Sequence, residues 1–475
     1  MMNLGFAFNL LRNQGVSARI VGDPSTEFFR VHTDSRSVLA GDMFVALKGD
    51  RFDAHHFLSQ AAQTGAVAGL AHFGLATAAL AGLEVSNSQK ALAALATGWR
   101  AQFSLPLIAV TGSNGKTTVT QMIASILRCA SGNASLATVG NLNNEIGVPL
   151  TLLHLRAHHQ CAVVELGMNH PGEIKTLAHC AAPTVALVNN AQREHQEFMH
   201  TVEAVARENG ASIEALPATG IAVFPAHDLF TTMWRSMAGQ RRCLTFDLQG
   251  SADITGQAYW VDDHWRVDAA TPQGAVNFKL AIAGRHNVKN ALAAMAACLG
   301  AGISLEAIAY GLEQFEAVKG RSRAMTLEYG ERKIYLVDDT YNANPDSVRA
   351  AIDVLAELPG PHLLILGDMG EVGEQGPEFH AEIGEYAVER GIETLLCTGE
   401  LMRYCAAVFP GARHTGDMDA LTTLVLAEAS SHRSILIKGS RFMRLERLVD
   451  TIVKHGEVLH KLNTNSSLRR AHHAA

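Results

Sequence analysis

The chain has 475 residues, 48% hydrophobic and 18% charged, and a formal net charge of −7 from 39 basic and 46 acidic side chains. That length supports several buried cores, about three at roughly 150 residues per domain. The scattered basic residues form no stretch dense enough to neutralise a phosphate backbone, which argues against a nucleic-acid partner.

The seven cysteines include no C-x-x-C pair and mostly sit in apolar runs, as expected of reduced, buried thiols. The start has no basic region ahead of an apolar core, and no uninterrupted apolar run reaches the roughly 18 residues of a membrane span. No integral membrane segment is therefore expected, and the cytoplasm is the expected location. Clusters such as Asp53-Ala54-His55-His56 and His158-His159 lack metal-ligand spacing, so most of the 22 histidines read as surface residues.

Residues 61–100 are rich in alanine with helical periodicity before Leu105-Pro106-Leu107-Ile108-Ala109-Val110 breaks into a short apolar strand, which places a first domain over residues 1–100. Strand-like runs at 161–164, 184–188 and 221–224, separated by helical segments, predict a parallel sheet covered by helices in a central domain over 101–317. Between Ser251 and Leu280, the runs Tyr259-Trp260, Trp265-Arg266-Val267 and Val276-Asn277-Phe278 alternate like antiparallel strands and predict a small β appendage. After Lys319-Gly320-Arg321 a second series, with strands at 334–337, 362–366, 394–397 and 434–437, predicts a C-terminal Rossmann-like domain over 318–460. Residues 461–475 read as a flexible tail. The fold class is thus α/β in three domains: a central P-loop-type parallel sheet with an antiparallel appendage, a C-terminal Rossmann-like domain and an N-terminal domain.

The strand ending at Val110 leads into Thr111-Gly112-Ser113-Asn114-Gly115-Lys116-Thr117-Thr118. Gly112 and Gly115 permit backbone conformations that aim successive N–H groups at one point, and a helix starting near Lys116 adds its positive end. Lys116 then reaches the terminal phosphates of a nucleoside triphosphate and the Thr117 hydroxyl a Mg²⁺ ion. The wider G-x-x-x-x-G-K-[ST] pattern asks for glycine where Val110 stands, so this is a shortened variant. The bland alternative, a Gly-Asn turn between strand and helix, leaves Lys-Thr-Thr unexplained.

The run 161–164 delivers Glu165 to the carboxyl edge of the sheet, where open α/β folds bind ligands, and the next strand leads through Asn189-Asn190 to Glu194-His195 at the same edge. A strand-end Glu alone is as often a solvated residue. With Thr117 nearby, Glu165 and His195 become candidate metal ligands.

Together with Gly140-Asn141-Leu142-Asn143-Asn144-Glu145-Ile146-Gly147 and Gly284-Arg285-His286-Asn287-Val288-Lys289-Asn290, the phosphate loop, Glu165 and His195 resemble, in order and spacing, the Mur ligases of bacterial cell-wall synthesis. Among them, Asp338-Asp339-Thr340-Tyr341-Asn342-Ala343-Asn344-Pro345-Asp346-Ser347, Leu366-Gly367-Asp368-Met369-Gly370-Glu371 and Ile437-Lys438-Gly439-Ser440-Arg441 resemble the members that take D-alanyl-D-alanine. The resemblance spans about residues 30–450.

It implies an ATP- and Mg²⁺-dependent ligase that phosphorylates the carboxylate of UDP-N-acetylmuramoyl-tripeptide and lets the amine of D-alanyl-D-alanine displace the phosphate. Lys116, Glu165 and His195 are the implied catalytic residues, and Thr117, Glu165 and His195 the implied metal ligands. Thr111 to Thr118 would hold ATP with His286, Asn287 and Asn290 at adenine, Arg321 at the phosphates from across a hinge, and Asp339 at the ribose. Ser35 and Arg36, with Leu47-Lys48-Gly49-Asp50-Arg51-Phe52, correspond to the UDP region; Asn143, Asn144, Tyr341, Asn342, Asn344 and Lys438 are the other implied substrate contacts. His380 or Tyr341 is a candidate to take the proton of the incoming amine. On the residues alone, Asp34-Ser35-Arg36 is a polar turn and His286-Asn287 an N-capping segment.

One departure stands out: Asn209, in Val205-Ala206-Arg207-Glu208-Asn209-Gly210, occupies the position where the family commonly carries a carbamylated lysine. Asn209 or Glu208 would then hold the second metal's water shell, or Arg207 supply the charge. Closure of the third domain over the second is expected about a hinge near residues 318–323, in a monomer. The alternatives are another ATP-dependent amide ligase resembling the folylpolyglutamate synthetases and a non-catalytic nucleotide-binding scaffold.

Overall fold

A parallel strand covered by helices on both faces reads as an unbroken apolar run, and Leu107–Thr111, Cys161–Glu165 and Val185–Val188 are buried at every position. The computed structural model, which describes residues 1–49, 52–261, 264–329 and 332–460, sets these strands side by side in a nine-stranded sheet. Its order is Gly274–Leu280, His264–Thr271, Ile254–Val261, Arg242–Asp247, Ile221–Pro225, Val185–Val188, Leu107–Thr111, Cys161–Glu165, Ser135–Ala137. Seven of the strands run parallel, and the last two hairpin strands add antiparallel onto Ile254–Val261, so the expected β appendage continues the main sheet.

Alternate residues serve the two faces. Leu107 and Ala109 pack into one core with the helices Glu173–Ala181 and Val202–Glu214, while Ile108 and Val110 pack into the other with Lys116–Ser131 and Arg285–Gly300. The chain leaves Leu107–Thr111 toward strands on both sides of it. The loop after this strand therefore lies at a topological switch point, where such sheets open a crevice.

The first domain corrects one expectation. Residues 61–100 do not form helix throughout: between the helices Leu58–Thr64 and Ser88–Arg100 lie the strands Ala68–Ala71 and Ala81–Val85. They join Ala18–Val21, Asp42–Val45 and Arg30–His32 in a five-stranded sheet. Small residues are required here by close approach, since a Cβ on Gly82 would meet Gly69 O at 2.0 Å and one on Gly69 would meet Leu75 at 2.4 Å. Tertiary packing overrides the helix propensity of alanine.

The third sheet has the order Arg413–Thr415, Thr394–Thr398, His362–Gly367, Ser434–Lys438, Arg332–Asp339, Arg323–Tyr329, Glu457–His460, of which the first five run parallel. Before it, Gly320 (φ +78°) and Ser322 (φ +50°) turn the connecting segment, and the Gly320 and Ser322 N–H groups donate to Asp338 and Asp339. The expected tail, 461–475, and Asp50 and Arg51 lie outside the described residues. Among the described residues no helix is long and apolar enough to cross a membrane.

Candidate active site

The strand Leu107–Thr111 ends in a loop whose two glycines are forced by their surroundings. Gly112 has φ +131° and Gly115 φ +81°, and a Cβ on Gly115 would lie 2.8 Å from both the Asn189 amide and Asn290 Oδ1. The helix Lys116–Ser131 follows directly. Three loop N–H groups are already spent inside the protein: Gly112 donates to Asn209 Oδ1 (3.0 Å), Ser113 to Asn190 O (3.2 Å) and Asn114 to Asn190 Oδ1 (2.9 Å). The N–H groups from Gly115 to Thr118 find no acceptor among the described residues, and with the helix dipole behind them they form the anion-facing surface.

Lys116 Nζ donates to Gly112 O (2.6 Å), Ser113 O (3.1 Å) and Glu194 Oε1 (2.5 Å). Thr117 Oγ1 donates to Glu165 Oε1 at 3.0 Å, and Asn143 Nδ2 donates to the same oxygen at 2.8 Å. Glu165 is 1% exposed, and its Oε2, like Glu194 Oε2, is buried without a hydrogen-bond partner among the described residues. Unpartnered buried carboxylate oxygens beside a hydroxyl and an anion site suit Mg²⁺, which binds through one or two carboxylates while keeping phosphate and water ligands. Among the described residues no three His, Cys, Asp or Glu side chains form a ready cage.

His195 adopts φ +50° and lies between two carboxylates: its Nε2 is 3.5 Å from Glu194 Oε1, and its Nδ1 forms an ion pair with Glu371 of the third domain. Burial lowers its pKa, but the two carboxylates outweigh this and raise it to about 9. The pairing with His195 in turn holds Glu371 below the usual carboxylate range.

Opposite the loop, Asp339 accepts from Lys438 Nζ (2.7 Å) and Ser322 N (2.9 Å), and Lys438 also donates to Asn342 O (2.8 Å). Arg321 stacks on the Tyr341 ring, 4.0 Å from its centroid. The Asn344 amide pairs with that of Asn114 at 2.9 Å and links the third domain to the phosphate loop. At the helix start, Asn287 Nδ2 donates to Ala283 O (2.7 Å), Asn290 Nδ2 to Asn287 Oδ1 (2.9 Å) and Asn189 Nδ2 to Asn290 Oδ1 (2.9 Å).

These groups line one cleft of about 660 Å³, which collects Ser113 to Thr118, Asn143, Asn144, Glu165, His195, His286, Asn287, Asn290, Arg321, Asp339, Tyr341, Asn342, Asn344 and Lys438. Thr111 and Gly112 lie behind it; the Thr111 hydroxyl is spent on Leu187 O and Asn209 O, both at 3.2 Å. Ser35 and Arg36 lie apart from the cleft lining, and Arg36, its side chain 83% exposed, pairs with Asp34.

His380 is fully buried: its Nε2 accepts from Met369 N (3.0 Å), its Nδ1 faces Gly376 O (2.6 Å), and burial lowers its pKa. With both ring nitrogens engaged it is a structural histidine, which corrects its candidacy as a base. Sequence reasoning passed over Gln192, Asp228 and Lys289 in the cleft, and Glu194 as the partner of Lys116. The polar run after Val188, at the carboxyl edge of a buried strand, was the available signal.

Comparison with known proteins agrees with this geometry. Residues 110–298 match the Mur ligase middle domain and residues 323–441 the Mur ligase, glutamate ligase domain. The chain is 40% identical over 432 residues to the UDP-N-acetylmuramoyl-tripeptide–D-alanyl-D-alanine ligase of Escherichia coli, covering 90% of this chain and 94% of the relative. It is 34% identical to the Haemophilus influenzae enzyme of the same name, with 92% and 96% covered. Among solved structures, MurF from Acinetobacter baumannii superposes with a TM-score of 0.87 at 33% identity, covering 94% of this chain and 98% of that one. MurF ligase from Thermotoga maritima in complex with ADP gives 0.78 at 26% identity, covering 90% and 98%.

Proposed function

The chain belongs to the Mur ligase family, and from that premise we propose that it is the ATP-dependent ligase joining D-alanyl-D-alanine to UDP-N-acetylmuramoyl-tripeptide, which makes the UDP-muramoyl-pentapeptide precursor of peptidoglycan. One observation carries the reading: a single cleft brings Lys116, Thr117 and Glu165 of the central domain opposite Arg321, Asp339 and Lys438.

A carboxylate is a poor acyl donor because oxide is a poor leaving group. The substrate carboxylate oxygen attacks the γ-phosphorus of ATP, the bond to the ADP oxygen breaks, and an acyl phosphate results. The amine nitrogen of D-alanyl-D-alanine then attacks the acyl carbon, the bond to phosphate breaks, and the nitrogen loses its proton as the amide forms. Lys116 and the open N–H groups of Gly115 to Thr118 receive the charge that gathers on the phosphoryl oxygens. Thr117 and Glu165 would hold a Mg²⁺ ion, which would supply Lewis-acid neutralisation there. His195 would join such a site only after giving up the proton that Glu194 and Glu371 stabilise. In this reading His286, Asn287 and Asn290 serve adenine, Asp339 the ribose, and Ser35 and Arg36 the UDP end; the first four lining one cleft supports it.

Phosphate release is the test, measured with ATP, UDP-muramoyl-tripeptide and D-alanyl-D-alanine together and with each omitted. Release only in the complete mixture is expected. Release with a folate substrate instead would favour the folylpolyglutamate synthetase alternative, and no release in any mixture would leave a nucleotide-binding scaffold. A cytoplasmic monomer is part of the reading, and a dimer mass by light scattering would correct it.

A further inference from the structure

The loop that carries Glu194 and His195 also carries Arg193, to which the chemistry above assigns nothing. Arg193 belongs to the central domain, yet its partners lie in the third. Its backbone N–H donates to Asp346 Oδ2 (2.8 Å), its Nε and Nη2 to Asp346 Oδ1 (3.1 and 2.7 Å), and its Nη1 and Nη2 to Glu382 Oε2 and Oε1 (2.6 and 3.0 Å). The Phe379 ring lies 5.3 Å from the guanidinium.

Both acceptors are on rigid elements: Asp346 in the first turn of the helix Pro345–Glu357, Glu382 within the helix Gly376–Glu389. Glu382 is held from its other side by Arg349 at 3.1 Å. A planar fork matched to two carboxylates fixes orientation as well as distance, which a lysine ammonium cannot do. Arg193 is only 23% exposed at its side chain, and it does not line the cleft. Its chain neighbours do: Glu194 holds Lys116, and His195 faces Glu371 across the same domain junction.

We propose that Arg193 is a positioning residue that latches the third domain closed over the nucleotide cleft, so that the acyl phosphate formed at Lys116 and the amine brought by the third domain meet. The proposal rests on the ligase reading for its kinetic consequence, though not for the closure itself. Without the fork the phosphate loop and Lys116 of the central domain keep their hold on the nucleotide; the domain junction loosens, and the step that needs both domains slows.

Arg193→Met and Arg193→Lys test it, with Asp346→Asn alone and combined with Arg193→Met. ADP affinity is measured by calorimetry, closure by small-angle scattering with ADP and UDP-muramoyl-tripeptide, and kcat and KM for D-alanyl-D-alanine by phosphate release. The expected result for Arg193→Met is a kcat lower by about tenfold, as for loss of a partly screened, charge-assisted pair, a larger radius of gyration in the ligands, and ADP affinity within about threefold of the parent. Lysine restores little, and the double variant is no worse than Arg193→Met. Parent-like kcat and scattering, or ADP affinity falling in step with kcat, would overturn the latch. A parent enzyme that releases no phosphate would overturn the ligase reading instead, while the scattering arm still decides on the latch.

Discussion

Replacing Asn209 with leucine removes one hydrogen bond from beneath the phosphate loop while keeping the branched shape of the side chain. Asn209 is 1% exposed on the helix Val202–Glu214, and its Oδ1 accepts the buried N–H of Gly112 at 3.0 Å. Leucine leaves that N–H unsatisfied, at a cost of about 1–3 kcal/mol. Part of this is offset, because Asn209 Nδ2 is itself buried without a partner among the described residues, and leucine removes that burden too. A net loss of roughly 1 kcal/mol of unfolding free energy is expected. The loop feels it more directly, since the Gly112 carbonyl is one of the oxygens that hold Lys116 Nζ. A displacement there weakens nucleotide binding by about 1–2 kcal/mol, roughly five- to thirtyfold in Kd. Urea unfolding and calorimetric titration with ADP and Mg²⁺ measure the two effects separately. An unchanged unfolding midpoint together with unchanged ADP affinity would refute the account, and the amide would then be a passive filler beneath the loop.

Lys116→Ala removes three hydrogen bonds from the loop and leaves Glu194 buried beside it; ATP-dependent phosphate release should be almost abolished with the fold retained by circular dichroism, and near-normal turnover would refute the phosphate-loop assignment. The Arg193–Glu382 contact also predicts a pH dependence. The hydrogen bonds from Arg193 lower the Glu382 pKa in the folded protein. Its contribution is therefore fully present above the ordinary carboxylate value, about 4.3, and is lost as pH falls through the lower folded value. The stability gap between the parent and Arg193→Met should stay level from neutral pH down to that range and narrow below it. A gap that widens on acidification would contradict the pairing.

What was legible in the sequence follows from which contacts leave a local trace. The central strands showed because a strand buried on both faces is an unbroken apolar run, and the phosphate loop because its glycines, lysine and threonines answer to local geometry. The first sheet stayed hidden because its inner strands, Ala68–Ala71 and Ala81–Val85, are built from small residues that read equally well as helix. Arg323–Tyr329 was missed because it is mostly half-buried and carries little alternation. His380 was misjudged because the ring environment that separates a base from a core residue is tertiary: one nitrogen depends on Met369 N, 11 residues away. The latch left no trace at all, since Arg193 meets Asp346 and Glu382 at separations of 153 and 189 residues.

Three of the cations in the cleft share a pattern that bears on how it handles a highly charged substrate. Lys116 is paired with Glu194, His195 with Glu371, and Lys438 with Asp339. An unpaired charge at such depth is costly, so each carboxylate offsets its partner's charge and holds that cation in place. Glu194, which pairs with Lys116 through one oxygen and has the other unpartnered among the described residues, lines the same cleft as Glu165. Because Glu371 comes from the third domain, the balance at His195 is complete only when the domains are together. The His195–Glu371 pair and the Arg193 fork, on residues adjacent in the chain, thus join the same two domains side by side.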